Sequence, residues 1–251
     1  SGTSPSIPDF LKGVSERVAF NDDVFEWEKL PESLAVFGAG VIALELGQAL
    51  SRLAVRVRLF GRSLRTGPIT DPGVLQNAEM VFSKDFPFYA PIQIENVEAS
   101  ENGVKVQFRQ SLHEELEEEE FEQVLAATGR IPNVDELNLE STSIKLDTQG
   151  IPIFNPLTMQ CGNSPVFVAG DVNNTLTVLH EAADEGKIAG DNAGRFPEIK
   201  EGIRRTPMTV VFTDPQLAVV GQSWKDLQGK EFVTGKVSFE GQGRSRVMLQ
   251  N

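Results

Sequence analysis

The chain has 251 residues, 40% of them apolar, a formal charge of −13 at neutral pH and one cysteine. That length supports one large or two ordinary domains with a real core, and no run of about 18 apolar residues suggests a membrane-spanning helix. The negative balance argues against a nucleic-acid partner, and a lone Cys161 excludes an internal disulfide and a Cys-rich metal site.

The opening residues, Ser1-Gly2-Thr3-Ser4-Pro5, carry no basic, apolar secretion signal, so the cytoplasm is the default location. Residues 1–30 read as a crossing segment with a short helix over Asp22–Trp27 behind Asn21 as N-cap. Leu34–Phe37 reads as a buried strand, Val41–Leu53 as a helix, and Val55–Phe60, which alternates apolar and basic residues, as a second strand. A helix is expected over Pro72–Lys84, then strands Ile92–Val97 and Val104–Phe108 joined across Asn102-Gly103, a hairpin signal. The run Glu114, Glu115, Glu117, Glu118, Glu119, Glu120 and Glu122 is expected to be a solvated turn, with a docking site for a basic partner as the alternative. Phe121–Ala127 then returns as a strand, completing an antiparallel meander. Further on come a buried strand Val166–Ala169 ending at Gly170-Asp171, a helix near Leu179–Gly194, and two strands, Thr209–Phe212 and Leu217–Gly221, around Asp214-Pro215. Cys161 is expected to be a buried structural thiol, and His113, in the acidic loop, a surface residue.

Gly38-Ala39-Gly40-Val41-Ile42-Ala43 fits G-x-G-x-x-G/A between a strand and a helix. The first glycine allows the tight turn, the second lets the backbone approach a pyrophosphate, and Ala43 allows the helix to pack closely on the strand. Unpaired N–H groups at the helix start then face the phosphates. At the end of the second strand, where an acid would accept a ribose 2′-hydroxyl, the chain has Gly61 and Arg62. A guanidinium there, helped by Arg65, suits a 2′-phosphate and favours NADPH; the alternative is that both arginines only coat the surface. Glu45 lies on an apolar helix face with no evident lysine partner, so a structural and a functional role both stay open.

Taken in order, the motifs resemble the glutathione reductase and dihydrolipoyl dehydrogenase family of class I pyridine-nucleotide disulfide oxidoreductases. Ser1–Pro8 is similar to that family's T-G-S-x-P-x-x-P segment, Gly38–Glu45 to its second dinucleotide fingerprint, and Ala126–Asn133 to its A-T-G-R-x-P-N. Val168–Val172 is similar to its flavin-binding G-D motif, His180–Gly186 to H-x-A-x-x-E-G, and Thr206–Gly221 to the start of its dimerisation domain.

The resemblance implies an α/β fold: a Rossmann-like NAD(P) domain with an antiparallel meander at 31–129, inserted in a partial FAD domain at 1–30 and 130–204. The start of an α+β dimerisation domain is implied from 205 to 251. It implies FAD and NAD(P) as cofactors, NADP favoured through Arg62, with Val41 in place of a tyrosine lid pointing instead to the dihydrolipoyl dehydrogenase branch. The expected cofactor-binding residues are Gly38, Ala39, Gly40, Val41, Ile42, Glu45, Arg62, Arg65, Val97, Thr128, Gly129, Arg130, Gly170, Asp171, Val178, Leu179, His180 and Ala182. Glu45 would sit at the nicotinamide–flavin contact, paired with a lysine from an earlier segment. Asp171 would bind the ribitol chain, and residues 178–180 would pass the isoalloxazine ring, with His180 packing there rather than acting as a base.

A first flavin fingerprint, a C-x-x-x-x-C pair and a terminal His-Glu pair are not present in this sequence. The chain is therefore expected to be the central fragment of a dimeric enzyme that passes electrons to a small-molecule or protein disulfide, and to be inactive by itself. The rival readings are a stand-alone dinucleotide-binding module without catalysis and a same-fold flavin reductase of quinone, oxygen or a metal ion.

Overall fold

The computed structural model describes residues 1–62, 67–89, 91–110, 114–238 and 241–247. Strand β1 (Thr3–Pro5), a 3-10 segment (Asp9–Arg17), β2 (Val18–Ala19) and a second 3-10 turn (Asp23–Glu26) precede β3 (Ser33–Phe37), α1 (Val41–Arg52) and β4 (Arg56–Phe60). Then come α2 (Pro72–Phe82), β5 (Phe88–Tyr89), β6 (Gln93–Ala99), β7 (Val104–Arg109), β8 (Glu117–Phe121), β9 (Gln123–Ala126) and β10 (Arg130–Pro132). The last elements are α3 (Leu179–Arg195), β11 (Met208–Val211), β12 (Leu217–Val220) and α4 (Gly243–Val247).

The architecture is α/β. A five-stranded parallel sheet, order β2-β9-β3-β4-β5, is backed by a three-stranded antiparallel sheet, β6-β7-β8, and two antiparallel pairs, β1-β10 and β11-β12, complete the strands. Every residue of β3 is buried because layers cover both its faces, which is why Leu34–Phe37 run apolar without alternation. Leu34 and Val36 pack with Leu44, Leu59 and Phe82 on the helical side. Ala35 and Phe37 pack with Phe60, Val106, Phe108 and Phe121 on the meander side. Pro at the first helical position and Asp71, whose side chain accepts the Val74 N–H at 2.9 Å, start α2. Among the described residues no helix is long and apolar enough to cross a membrane.

Four expectations need correction. The acidic run is a strand, not a turn: Glu117–Phe121 pairs antiparallel with β7, its inward Glu117 and Glu119 meeting Arg58, and Glu119 also Arg56, of β4. The expected strand Phe121–Ala127 is two strands in different sheets. It breaks at Glu122, whose carboxylate accepts the Glu32 N–H at 2.7 Å while its own N–H donates to Ser33 Oγ at 3.0 Å. Val166–Ala169 is neither a named strand nor buried. It forms one bridge, Gln160↔Phe167, and Val166 is exposed. The helix after residue 21 is a 3-10 turn, and Asn21 does not cap it: its amide donates to Asp22, while its oxygen accepts from Arg130. Short strands β2, β5 and β10 were not evident in the sequence.

Candidate functional site

The loop between β3 and α1 is set by its two glycines. Gly38 has φ +129°, and a Cβ there would run into the Ala127 carbonyl, so no other residue fits this turn. Its N–H donates to Phe60 O at 3.0 Å, and the Ala127 N–H donates to Phe37 O at 2.9 Å, which ties the ends of β3, β4 and β9 together under the loop. Gly40 is exposed, with open space where its Cβ would be, and it precedes α1 with no side chain capping the helix. Among the described residues no side chain accepts from the first N–H groups of α1, an arrangement that with the helix dipole suits an anion. Ala43 and Leu44 are fully buried beneath it, as close helix-on-sheet packing requires.

Ala39 accepts the Gly67 N–H at 2.8 Å, so Gly67 borders the loop. Arg62 follows the end of β4, is exposed, and makes no ion pair among the described residues. Arg65 and His113 lie outside the described residues. Val41 is partly buried against the core below the helix. Ile42 is half-buried on the first turn of the same helix. Val97 pairs across β6–β7 with Val106 and is buried in the meander core, so its side chain packs.

Glu45 finds a partner that the sequence did not reveal. Its Oε1 accepts the backbone N–H of Phe212 at 2.7 Å, from the segment that follows β11. Beside it, buried Gln48 and half-exposed Arg52 bond to Asp214 and Asp85.

A second cluster joins three motifs distant in sequence. Arg130 donates from Nε to Thr3 Oγ1 and from Nη2 to Thr3 O, both at 2.7 Å, and Thr3 Oγ1 lies 3.5 Å from Asp171 Oδ2. Thr128 donates to Ser6 O at 2.8 Å, and Ser6 N–H to Gly129 O at 3.0 Å, closing β1 on β10. Gly170, at φ +78°, places its Cα opposite Ala182, where a Cβ on Gly170 would come within 3.3 Å of the Ala182 methyl.

The Gly170 turn is held by a residue that the sequence reading had not marked as part of the site. Glu185, 1% exposed, accepts the Gly170 N–H at 2.8 Å and the Asn173 amide at 2.6 Å, and pairs with Arg204 at 2.9 Å. Arg204 also reaches buried Glu181 at 2.6 Å. Two acids four apart on a helix face that also carries Ile188 and Ala189 were the available signal that a cation must meet them. Val178 is half-buried, Leu179 is 87% exposed, and His180 Nε2 lies 2.9 Å from Met208 O. Cys161 is buried as expected, and burial pushes its thiol pKa up.

Residues 38–45 thus form the loop and first turn of α1, Arg62 lies in sequence just past the end of β4, and Thr128–Arg130, Gly170 and Asp171 gather around β1. The two groups meet where Ala127, beneath the glycine loop, runs into Thr128.

The mercuric reductase of Staphylococcus aureus is 33% identical over 233 residues, 92% of this chain and 41% of that protein. A dihydrolipoyl dehydrogenase of Cupriavidus necator is 28% identical over 241 residues, 94% of this chain and 49% of that protein. The flavoprotein disulfide reductase RclA from Escherichia coli superposes with TM-score 0.81 at 21% identity, covering 98% of this chain and 56% of that one, a likeness of fold. The chain spans about half the length of the relatives it matches. A family model described as pyridine nucleotide-disulphide oxidoreductase matches residues 1–186, and the chain belongs to that family.

Proposed function

We propose that this chain carries the NAD(P)-binding site and part of the FAD-binding site of a dihydrolipoyl dehydrogenase-like disulfide oxidoreductase. In this reading 31–129 is the nucleotide domain, 1–30 and 130–204 belong to the flavin domain, and 205–251 begins the interface of a homodimer. The observation that carries it is the uncapped start of α1 behind Gly38 and Gly40, with the Arg62 guanidinium unpaired among the described residues after β4. Both halves suit their cofactors. The loop leaves backbone N–H groups and open space for a pyrophosphate, and Asp171 offers a half-buried carboxylate for a polyol.

Bound flavin supplies the two-electron carrier between nicotinamide and acceptor. The chain's own residues bind and orient. The α1 N–H groups receive the phosphates, Arg62 the 2′-phosphate of NADP, and the Glu45 carboxylate, held by Phe212 N–H, marks the nicotinamide end. Asp171 accepts hydroxyl hydrogen bonds from the flavin side, while Glu185 fixes the turn before it. The sole cysteine is buried, so the chain has no cysteine pair to reduce, and NADPH-dependent disulfide reduction by these 251 residues is expected to be absent.

Calorimetric titration of the chain with NADPH and then NADH, with an absorbance scan for flavin, tests the reading. NADPH binding at residues 38–62 is expected, and no binding of either nucleotide would overturn it. Arg62→Glu should weaken NADPH by about tenfold to a hundredfold, the worth of one or two charge-assisted hydrogen bonds, and leave NADH nearly unchanged. Equal losses would remove Arg62 from the site. A second reading, reduction of a metal ion, rests on the relatives named mercuric reductase. Assaying the holoprotein with mercuric ion and with dihydrolipoamide separates the two.

A further inference from the structure

We infer that Gln48 is a positioning residue that clips the β11–β12 hairpin onto the dinucleotide helix and so fixes the Glu45 carboxylate at the nicotinamide end. This rests on the reading of α1 as the dinucleotide helix. Glu45, Gln48 and Arg52 share one face of α1 by their spacing, and all three bond to the segment after β11. Gln48 is 4% exposed. Its Nε2 donates to Asp214 O at 2.8 Å and to Asp85 Oδ2 at 2.6 Å, and its Oε1 accepts the Asp214 N–H at 2.7 Å. One side-chain amide thus reads both main-chain groups of Asp214, as a neighbouring strand would, and ties them to the end of α2 through Asp85.

Other polar ties of the hairpin include the half-exposed Arg52 on Asp214 and His180 on Met208 O, but the Gln48 pair is the buried one that holds both main-chain groups of a residue near Phe212. Val211 and Leu217 enter the core, but that apolar contact has no direction, and Phe212 itself is 72% exposed. The register that brings Phe212 N–H onto Glu45 is set by the Gln48–Asp214 pair two residues on. A glutamate in place of Gln48 could not donate to Asp214 O and would face the Asp85 carboxylate.

The test compares NADPH with 2′-phospho-ADP-ribose, which keeps the adenosine and pyrophosphate but has no nicotinamide, on the 251-residue chain. Gln48→Ala is expected to weaken NADPH about tenfold, the loss of roughly one buried hydrogen-bond set, and to leave 2′-phospho-ADP-ribose unchanged. The Phe212 amide should lose hydrogen-exchange protection in the same variant. Gln48→Glu should do at least as much, and adding Asp85→Asn should restore part of the NADPH affinity by supplying a donor to the new carboxylate. Equal weakening of both ligands, or no weakening of either, would overturn the role of Gln48, as would absence of rescue. If the unsubstituted chain binds neither ligand, the dinucleotide reading itself falls, a result distinct from normal binding that Gln48→Ala leaves untouched.

Discussion

The Arg58 guanidinium lies 2.5 Å from the Glu119 carboxylate and 4.4 Å from the centre of the Phe108 ring, so one side chain of the parallel sheet holds two strands of the meander. Only 14% of the Arg58 side chain is exposed, and Glu117 meets it as well at 3.4 Å. Removing a charge from such a half-desolvated pair strands its partners and removes the packing of the arginine stem. Arg58→Ala is expected to lower stability by about 2–3 kcal/mol in urea unfolding, and Arg56→Ala, whose side chain is 52% exposed, by under about 1 kcal/mol. A double-mutant cycle over Arg58 and Glu119 should give coupling of about 1 kcal/mol or more. Coupling near zero would mean that the acidic strand is held by its ladder alone.

That pair also shows where the sequence stops being readable. Glutamate disfavours strands locally, and the arginines that neutralise Glu117 and Glu119 lie about sixty residues earlier, so nothing near the run announces a strand. Gly38-Ala39-Gly40, the unbroken apolar strand before it and the helix after it were legible because each needs only local sterics or a covered sheet. The motif pieces around Thr3, Arg130 and Asp171 were legible one by one, but that Arg130 bridges β1 to β10 was not. Glu45 had no visible partner because a main-chain N–H leaves no mark in sequence. Val166–Ala169 misled because apolar content resembles a buried strand even where a segment has a neighbour on one side only.

The two loop glycines should separate folding from binding. A Cβ at Gly38 meets the Ala127 carbonyl at a φ that L-residues avoid, so Gly38→Ala is expected to cost about 2–4 kcal/mol and lower the melting temperature by several degrees. Gly40, at φ −80° with open space around it, admits alanine without strain. Gly40→Ala should melt as the parent does and lose nucleotide affinity, because its methyl enters the space the pyrophosphate needs. Thermal melts alongside NADPH titrations decide this, and unaltered affinity in Gly40→Ala would place the phosphates elsewhere.

Asp184 gives the surface of α3 a defined acid response. Arg205 donates to its two carboxylate oxygens at 2.6 and 2.8 Å, and that hydrogen bonding holds the carboxyl below its ordinary value of 3.8. A carboxyl lowered in the folded state stabilises the fold above its unfolded pKa, and that contribution disappears as pH falls through the folded value. Arg205→Gln should therefore move the Asp184 titration up toward 3.8 and flatten the loss of stability below about pH 4. Carboxyl carbon NMR on both proteins reads the shift, and an unmoved midpoint would show that the pair does not persist in solution.

Glu185 should prove more costly to replace than any glutamate of the acidic strand. It is buried, and its two oxygens meet the Gly170 N–H, the Asn173 amide and the Arg204 guanidinium. Glu185→Ala leaves the Gly170 and Asn173 donors without their acceptor in a desolvated place and takes from Arg204 one of its two carboxylates, Glu181 remaining, with an expected loss of about 3–5 kcal/mol. Glu185→Gln keeps the shape and one acceptor oxygen but drops the charge facing Arg204, so its loss should fall between that and the parent. The local effect is as specific as the global one: the Gly170 amide should lose exchange protection in Glu185→Ala before the parallel sheet does, because the turn carrying Asp171 is anchored through Glu185 and the sheet is not. A loss below about 1 kcal/mol with Gly170 still protected would show that the turn is held by Ala182 packing and the Asn173 N–H to Gly170 O bond instead.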